Sequence, residues 1–373
     1  MRPCTSLIGV LLLGLGACLG ACLGACVEEP CGSTVGDLCL LAGTGEIGFN
    51  GDGLRPQDTD FYLVSAARRG PDDRLYIMDF NNQRLRWIDE RGLVDTVVGN
   101  GWHAIADVDA PLLDTPLENP IDFGFFADER LVFVSYHDPR VLVIAEDGTL
   151  DTLAGAGDGV VGTIGDEGDG GPASEALFIQ LDGIAVAPND VIYVSDSLAH
   201  RVRKIEAGMI ETVAGTGERA YTGDGGPGTE ATLDWPTALA LDSAGNLYIA
   251  EALNHVIRRL APDGTISTVA GTGIAGDQGD GGPATQAQLR EPFGIAVDDD
   301  GTLYIADRGN FRVRRVDLDG TIETLAGVGV EGVGSEGPGR EVRLGYLARV
   351  AIDGDWLLVA DQSNAMLWRL RLR

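Results

Sequence analysis

The chain has 373 residues, of which 44% are hydrophobic and 54 are glycine, and its formal net charge is −30. Such an acidic chain without a basic stripe repels nucleic-acid backbones, and the lack of a Gly-X-Y period excludes collagen. Abundant glycine in a chain rich in Val, Leu and Ile predicts short strands joined by tight turns.

The first 26 residues have the pattern of an export signal. Arg2 supplies a positive charge, an apolar stretch runs from Leu7 to Leu15, and small residues then precede cysteine. The motif Leu-Gly-Ala-Cys occurs three times and resembles the lipobox of bacterial lipoproteins, in which the cysteine is acylated. We therefore expect a signal peptide over residues 1–26 and lipid on one of three cysteines, Cys18, Cys22 or Cys26. A transmembrane anchor and a plain secretory signal are the alternatives.

A short tether is expected over residues 27–37, which would place the rest of the chain outside the cytoplasm, in the periplasm or at the surface of a bacterium. Cys31 and Cys39 either form a disulfide bond in this region or stay as thiols. The residues after Cys39 contain no cysteine, which excludes a cysteine nucleophile or a cysteine-based zinc site there.

A Gly-x-Gly element recurs six times between the tether and the C-terminus. The copies begin at Gly43, Gly99, Gly155, Gly215, Gly271 and Gly327, with spacings of 56, 56, 60, 56 and 56 residues. Each copy follows a short apolar run, and a second β-type segment such as TLYIAD lies between successive copies. Internal repeats of this length are typical of propellers and related arrays.

One full repeat contains four predicted strands, which in residues 291–329 are FGIAVD, TLYIAD, FRVRRVD and IETLAG. Six four-stranded units predict an all-β, six-bladed β-propeller over residues 38–373. The chain ends before a seventh Gly-x-Gly, whereas residues 40–43 (LLAG) match the missing last strand. The N-terminal strand is therefore predicted to complete the sixth blade and protect its open edge.

The segment PFGIAVDDDGTLYIADRGNFRVRR at residues 292–315 resembles an NHL repeat, and residues 181–205 and 236–260 match nearly as well. The segments near 61–88, 120–145 and 347–370 are degenerate copies. Connectors reading GDGGPA, at residues 168–173 and 279–284, also resemble those of bacterial NHL proteins. The resemblance implies a propeller that usually binds a partner, although some relatives are enzymes, and a shared fold leaves function open.

Two loop motifs invite a ligand interpretation. Segments such as GTGIAG at residues 271–276 match GxGxxG, but no helix follows, so they are interpreted as strand ends rather than a dinucleotide site. The acidic connectors could bind calcium, which prefers several oxygen ligands from flexible loops. The candidate ligands are Asp169, Asp224 and Asp280. Ordinary turn composition is the competing explanation, and no cofactor is otherwise evident.

An acidic residue and an arginine recur at fixed positions in the repeat. The acidic residues are Asp79, Asp196, Glu251, Asp307 and Asp361, and the arginines are Arg84, Arg140, Arg201 and Arg312. Recurrence in nearly every blade indicates structure, so these residues are predicted to pair and fix the turn between the two middle strands.

Departures from the repeat indicate the candidate site. Connector two carries Trp102 and His103, and blade two has Tyr136, at the position of the usual acid, followed by His137. Connectors and middle-strand turns share one face of a propeller, so these residues are predicted to cluster there as a ligand site. Two further candidates, Asp122 and Arg349, stand at inner-strand positions that hold glycine in other blades. Drift of a degenerate blade is the alternative explanation.

The favoured function is a cell-envelope lipoprotein that binds a protein or a glycan. The alternative is an extracytoplasmic lyase or hydrolase with a metal-dependent site on the connector face, and metal near His103 and His137 would support it. We favour binding because no Gly-x-Ser-x-Gly or His-Glu-x-x-His motif is present. The only lysine, Lys204, is a weak candidate for Schiff-base chemistry.

Overall fold

A computed structural model describes residues 31–156 and 166–373 of the chain. Within these ranges the chain forms six antiparallel sheets, five of them with four strands and one with five. The sheets follow one another around a central axis as the blades of a propeller. The predicted all-β, six-bladed architecture is therefore confirmed.

Blades one to three use consecutive strands from the axis outwards. Blade one contains β2 (Val64–Arg69), β3 (Leu75–Asp79), β4 (Arg84–Ile88) and β5 (Val94–Val98). Blade two contains β6 (Pro120–Phe125), β7 (Leu131–Ser135), β8 (Val141–Ile144) and β9 (Leu150–Ala154). Blade three contains β10 (Leu181–Val186), β11 (Ile192–Asp196), β12 (Arg201–Glu206) and β13 (Met209–Ala214).

Blades four and five repeat this order, whereas blade six combines both ends of the described chain. Blade four contains β14 (Pro236–Leu241), β15 (Leu247–Glu251), β16 (Val256–Leu260) and β17 (Ile266–Ala270). Blade five contains β18 (Pro292–Val297), β19 (Leu303–Asp307), β20 (Arg312–Val316) and β21 (Ile322–Ala326). Blade six contains β23 (Leu347–Asp353), β24 (Trp356–Asp361), β25 (Met366–Arg371) and β1 (Asp37–Ala42), with β22 (Gly337–Pro338) at its edge.

Short 3-10 helices occupy connectors and turns between these strands. In the described residues they are Pro56–Asp58, Phe80–Asn82, Ala173–Glu175, Gly228–Glu230, Ala284–Gln286, Arg308–Asn310, Gly339–Glu341 and Gln362–Asn364. No helix of the described residues is both long and apolar enough to span a membrane.

The N-terminal strand closes the ring, as the phase of the repeats predicts. Strand β1 pairs antiparallel with β25, with Leu38 opposite Leu370 and Leu40 opposite Trp368. On its other side, Asp37 pairs with Pro338 of the last connector. A disulfide bond joins Cys31 to Cys39, so the residues before β1 are fixed to blade six. The first and last described segments thus share one sheet.

The hydrophobic core lies between neighbouring blades and not in one central mass. The apolar faces of adjacent sheets pack against each other, as Met78 of blade one does against Phe123 and Phe133 of blade two. Near the axis the inner strands approach closely, because a Cβ atom at Gly294 would lie 2.3 Å from the carbonyl oxygen of Ala348. Glycine at this point permits the narrow channel, and Asp122 and Arg349 take equivalent positions in their own strands.

The connectors and the β-turns between second and third strands share one face, here called the connector face. Asparagine side chains of the turns donate hydrogen bonds to connector carbonyl oxygens. Asn82 Nδ2 lies 2.6 Å from Gly48 O, and Asn254 Nδ2 lies 2.8 Å from Ala220 O. These bonds hold each connector beside a turn, so residues of the two segments can form one surface.

Candidate functional site

The structure brings the two predicted histidines, one from connector two and one from blade two, to one carboxylate. Nε2 of His103 lies 2.9 Å from Oε1 of Glu118, and Nδ1 of His137 lies 3.4 Å from the same oxygen. The ring centroids of the two histidines are 6.3 Å apart. His103, Glu118 and His137 are here called the rim cluster. Glu118 was absent from the predicted site.

Backbone pairing in connector two positions two members of the rim cluster. The amide of Ala104 donates to Leu117 O, and the amide of Leu117 donates to Trp102 O, each over 3.2 Å. This parallel bridge sets His103 beside Leu117, whose chain neighbour is Glu118. Trp102, the residue before His103, is 75% exposed.

A buried ion pair holds the turn that carries His137 against the same connector. Arg140 contacts both carboxylate oxygens of Asp138 over 2.7 Å and donates a third hydrogen bond to Ala106 O. The Ala106 amide in turn donates to Asp138 Oδ2 over 3.2 Å. These hydrogen bonds join the connector to the turn, so they limit how far His103 and His137 can move relative to each other.

The placement of Tyr136 at the acid position of the repeat was wrong by one residue. Ser135 pairs with Pro120 as Asp79 pairs with Val64 in blade one, so Ser135 takes the place of the acid. Tyr136 instead corresponds to Phe80, and the two rings pack edge to face with centroids 6.1 Å apart. The Tyr136 ring also contacts the His137 ring, at 4.7 Å between centroids.

A cavity of about 320 Å³ opens on the connector face at the propeller axis. Two repeat positions supply most of its lining, namely the residue after the recurrent acid and the residue before the inner strand. The first set is Phe80, Tyr136, Ala252, Arg308 and Gln362, and the second is Leu63, Trp235 and Glu291. Ile121, Leu253 and Phe293 complete the lining. We call this space the axial cavity.

Aromatic rings and a few charged groups meet in the axial cavity. Arg308 lies over the Phe293 ring, with 4.7 Å from Cζ to the centroid, and donates to Gln362 Oε1 over 2.9 Å. Burial lowers the pKa of Arg308 below the usual arginine value. The Trp235 indole donates to Asp182 Oδ2 over 3.0 Å, and burial raises the pKa of Asp182. Within the described residues Asp182 Oδ1 has no hydrogen-bond partner.

Asp122 and Arg349 lie apart from the rim cluster, inside the channel beneath the axial cavity. Both are buried, and Arg349 Nε lies 3.1 Å from Asp122 Oδ2. Arg349 also donates to the carbonyl oxygens of Asp182 and Thr237, in blades three and four. Burial by itself raises the pKa of Asp122, but Arg68 and Arg349 outweigh burial, and the pKa falls below the usual value. The pair links blade six to blades two, three and four inside the channel.

The three candidate calcium ligands each pair with a buried arginine of the neighbouring blade. The closest nitrogen–oxygen distances are 2.6 Å for Asp169–Arg203, 2.7 Å for Asp224–Arg258 and 2.7 Å for Asp280–Arg314. Guanidinium groups already occupy these carboxylates, so a calcium ion would have to compete with them. Calcium binding therefore stays a prediction.

The recurrent acid pairs with a different arginine from the predicted one. In blade one Asp79 lies 3.5 Å from the buried Arg86, while Arg84 donates to the carbonyl oxygens of Asn82 and Asn100. Blades four and five show the same arrangement, with Glu251–Arg258 at 3.1 Å and Asp307–Arg314 at 3.7 Å. In each of these three blades the acid pairs with the second arginine position of the third strand, because that side chain is buried, as is the case for Arg86, Arg258 and Arg314.

Lys204 does not have the surroundings of a nucleophile. Its Nζ lies 2.6 Å from Glu211 and 3.0 Å from Glu206. The hydrogen bonds to Glu211 and Glu206 raise the pKa of Lys204, which keeps the amine protonated. A Schiff base requires the neutral amine, so the geometry opposes that chemistry.

The lipidation candidates Cys18, Cys22 and Cys26 lie outside the described residues. The acylation hypothesis therefore stands on sequence. Apart from Tyr136, the residues that line the axial cavity were missed from sequence, although one signal was available. The residues after the recurrent acid differ from blade to blade (Phe80, Tyr136, Ser197, Ala252, Arg308 and Gln362), and such variation within a regular repeat is expected where a site is built.

Comparisons with known proteins identify the repeat. The family model of the teneurin NHL domain matches residues 273–341. Protein SUPPRESSOR OF QUENCHING 1 of Arabidopsis thaliana is 30% identical over 314 residues, which cover 78% of this chain and 28% of that protein. Human NHL repeat-containing protein 2 is 28% identical over 292 residues, covering 71% of this chain and 38% of that protein. The chain spans well under half the length of both relatives.

A solved structure shares the fold over most of the chain. An auxiliary nutrient binding protein from Bacteroides thetaiotaomicron VPI-5482 has a TM-score of 0.65 at 15% sequence identity, covering 89% of this chain and 75% of that one. At this identity the likeness concerns the fold. Together with the six blades and the NHL relatives, it shows that the chain carries an NHL-repeat β-propeller.

Proposed function

We propose that this propeller is a binding protein of the bacterial cell envelope and that it holds a glycan in the axial cavity. One observation carries the proposal, which is the combination of aromatic and polar groups at the channel mouth. The cavity of about 320 Å³ lies within the usual size range of ligand pockets. A sugar ring needs both kinds of group, since it has apolar C–H faces and a rim of hydroxyls.

The lining offers contacts for each part of a sugar. Tyr136, Trp235 and Phe293 present rigid aromatic surfaces from three different blades. Glu291 accepts hydrogen bonds and Arg308 donates them, so the hydroxyl groups of a sugar would find both an acceptor and a donor in the lining. The solved propeller from Bacteroides is described as nutrient binding, but a shared fold leaves function open, and the proposal rests on the cavity.

A panel of oligosaccharides from peptidoglycan, lipopolysaccharide and plant polysaccharides tests the proposal by calorimetry. Trp235→Ala and Arg308→Met should each weaken binding about tenfold or more, as expected for central anchors. Trp235→Phe keeps a ring and should retain most of the affinity. Leu318→Ala is the control, because Leu318 is 68% exposed and does not line the cavity. Unchanged affinity in both cavity variants, or capture of a protein and no glycan, would contradict the proposal.

Anchoring is the second part of the proposal. We expect one of the three tandem lipobox cysteines to carry several acyl chains. Two anchoring signals, such as two acyl chains, suffice for stable attachment, so these chains would hold the protein at a membrane. Mass spectrometry of the native N-terminus tests this expectation. An unmodified N-terminus on a freely secreted protein would contradict it.

A metal-dependent lyase or hydrolase is the second candidate function, and the rim cluster is the observation in its favour. A metal ion held by the three side chains of the rim cluster could polarise a substrate bound in the neighbouring cavity. Chromatographic analysis of the bound glycan after incubation with protein and Zn²⁺ separates the two functions. A binding protein returns the glycan unchanged, whereas a lyase or hydrolase cleaves it.

A further inference from the structure

We propose that His103, Glu118 and His137 form a binding site for a divalent transition-metal ion, with Zn²⁺ as the best-suited ion. One atom from each side chain, Nε2, Oε1 and Nδ1 respectively, lies within 4.8 Å of the others. Two imidazoles and one carboxylate are a ligand set that zinc commonly takes. This site is separate from the axial cavity and does not depend on glycan binding.

The observed distances are close to those that a tetrahedral ion requires. Zinc–nitrogen and zinc–oxygen bonds of about 2.0–2.2 Å imply ligand atoms about 3.3 Å apart. Glu118 Oε1 is 2.9 Å from His103 Nε2 and 3.4 Å from His137 Nδ1. Both distances from Glu118 Oε1 are therefore compatible with coordination of one ion after small side-chain rotations.

The protein supports the ligands on both sides and leaves them accessible. The parallel bridge in connector two fixes the backbone of His103 and Glu118, and the Asp138–Arg140 pair fixes the turn that carries His137. The side chains of His103 and His137 are 54% and 52% exposed, so an ion can enter from solvent. Three protein ligands leave a coordination position for water or a ligand, as in open zinc sites.

The corresponding connector position two blades further on shows a similar cluster that cannot bind a metal ion. There Arg219 pairs with Leu233 as His103 pairs with Leu117, and Arg219 Nε lies 2.9 Å from Asp234 Oδ2. His200 Nδ1 lies 3.6 Å from the other oxygen of Asp234. A guanidinium stays charged and cannot ligate a cation, so this second cluster is a pure hydrogen-bond and charge arrangement. Blade two has an imidazole where this place has arginine.

Metal titration of the purified protein tests the site directly. Zn²⁺ should bind with a stoichiometry of one in calorimetry, and Co²⁺ should give the intense visible absorption of a four-coordinate complex. Affinity should fall on acidification, because the imidazoles must be unprotonated to ligate. Absence of saturable binding of Zn²⁺ and Co²⁺ to the wild-type protein would overturn the proposal.

Variants assign the binding to the three residues. His137→Ala and Glu118→Gln should lose the saturable binding and the Co²⁺ spectrum. His103→Arg should lose them too, yet keep the fold, since it reproduces the Arg219–Asp234 arrangement. His200→Ala is the matched control and should bind Zn²⁺ like the wild type. Wild-type affinity in His103→Arg with unchanged circular dichroism would show that the metal binds elsewhere and would overturn the assignment.

Discussion

Arg349 of blade six lies across the central channel from Asp122 of blade two, with Nε 3.1 Å from Oδ2. The same guanidinium reaches the carbonyl oxygens of Asp182 and Thr237 in blades three and four. It also lies 3.5 Å from Phe293 O of blade five, so five blades meet at one side chain. A contact of this kind links segments that are far apart in the chain and has no counterpart in the glycine-bearing blades.

Breaking the Asp122–Arg349 pair should destabilise the propeller strongly. Asp122→Asn leaves the buried Arg349 without its carboxylate partner, which costs about 3–5 kcal/mol of unfolding free energy, whereas Arg349→Met should cost less because Arg68 still pairs with Asp122. The double variant should lose less than the sum of the two, because both changes remove one interaction. Urea denaturation measures all three. Arg130→Met is the control, since the exposed Arg130–Asp128 pair contributes at most about 1 kcal/mol.

Closure by β1 should contribute measurably to stability. Leu38 is fully buried in the core of blade six, so Leu38→Ala should lower the unfolding free energy by about 2–5 kcal/mol through lost burial and a cavity. Val35 precedes the strand and is 63% exposed, so Val35→Ala should change stability by less than about 0.5 kcal/mol. Equal melting temperatures for the two variants would mean that β1 is dispensable for closure.

Much of the architecture could be predicted because it follows from local and periodic information. The 56-residue spacing of Gly43 and Gly99 sets the blade length, and the strand before Gly43 reveals the closure. The predicted cluster of His103, Tyr136 and His137 is also present, since the connectors and turns share one face. These results follow from the periodicity of the strands and from the regular order of the blades around the ring.

The remaining features depend on register and on side-chain direction, which a single sequence does not fix. Glu118 belongs to no motif and gains its role only when Leu117 pairs beside His103. Ser135 is neutral, so the missing acid of blade two was assigned to Tyr136, one residue too far. Arg84 and Arg86 both follow the acid at plausible spacing, and only burial distinguishes them.

Stability should fall as the pH rises from about 5 to 8. Burial raises the pKa of Asp196, Glu251 and Asp307 to about 7 and that of Asp79 and Asp361 to about 6. In the unfolded chain these acids titrate near 4, so between roughly pH 4 and 7 the folded state binds more protons than the unfolded state. Their stabilising contribution is therefore complete below about pH 4 and is lost as the pH rises through 6 to 7.

Thermal unfolding between pH 5 and 8 measures this dependence. Asp307→Asn removes one titrating group and should make the slope shallower, while the loss of a partner for Arg314 lowers the melting temperature at every pH. A melting temperature that increases steadily from pH 5 to 8 in the wild type would contradict the raised pKa values.

The binding surface should extend from the axial cavity to the rim, and three alanine variants separate its parts. Tyr136→Ala should weaken glycan binding most, because its ring lines the cavity and also packs against His137. Trp102→Ala should weaken it less and leave the melting temperature unchanged, since the exposed side chain contributes a binding surface and little packing. His137→Ala should abolish Zn²⁺ binding and reduce glycan affinity only if the ion contacts the ligand. Calorimetry with and without Zn²⁺, paired with thermal unfolding, distinguishes these effects. If Trp102→Ala lowers the melting temperature and spares affinity, the indole serves packing, and the binding surface ends at Tyr136.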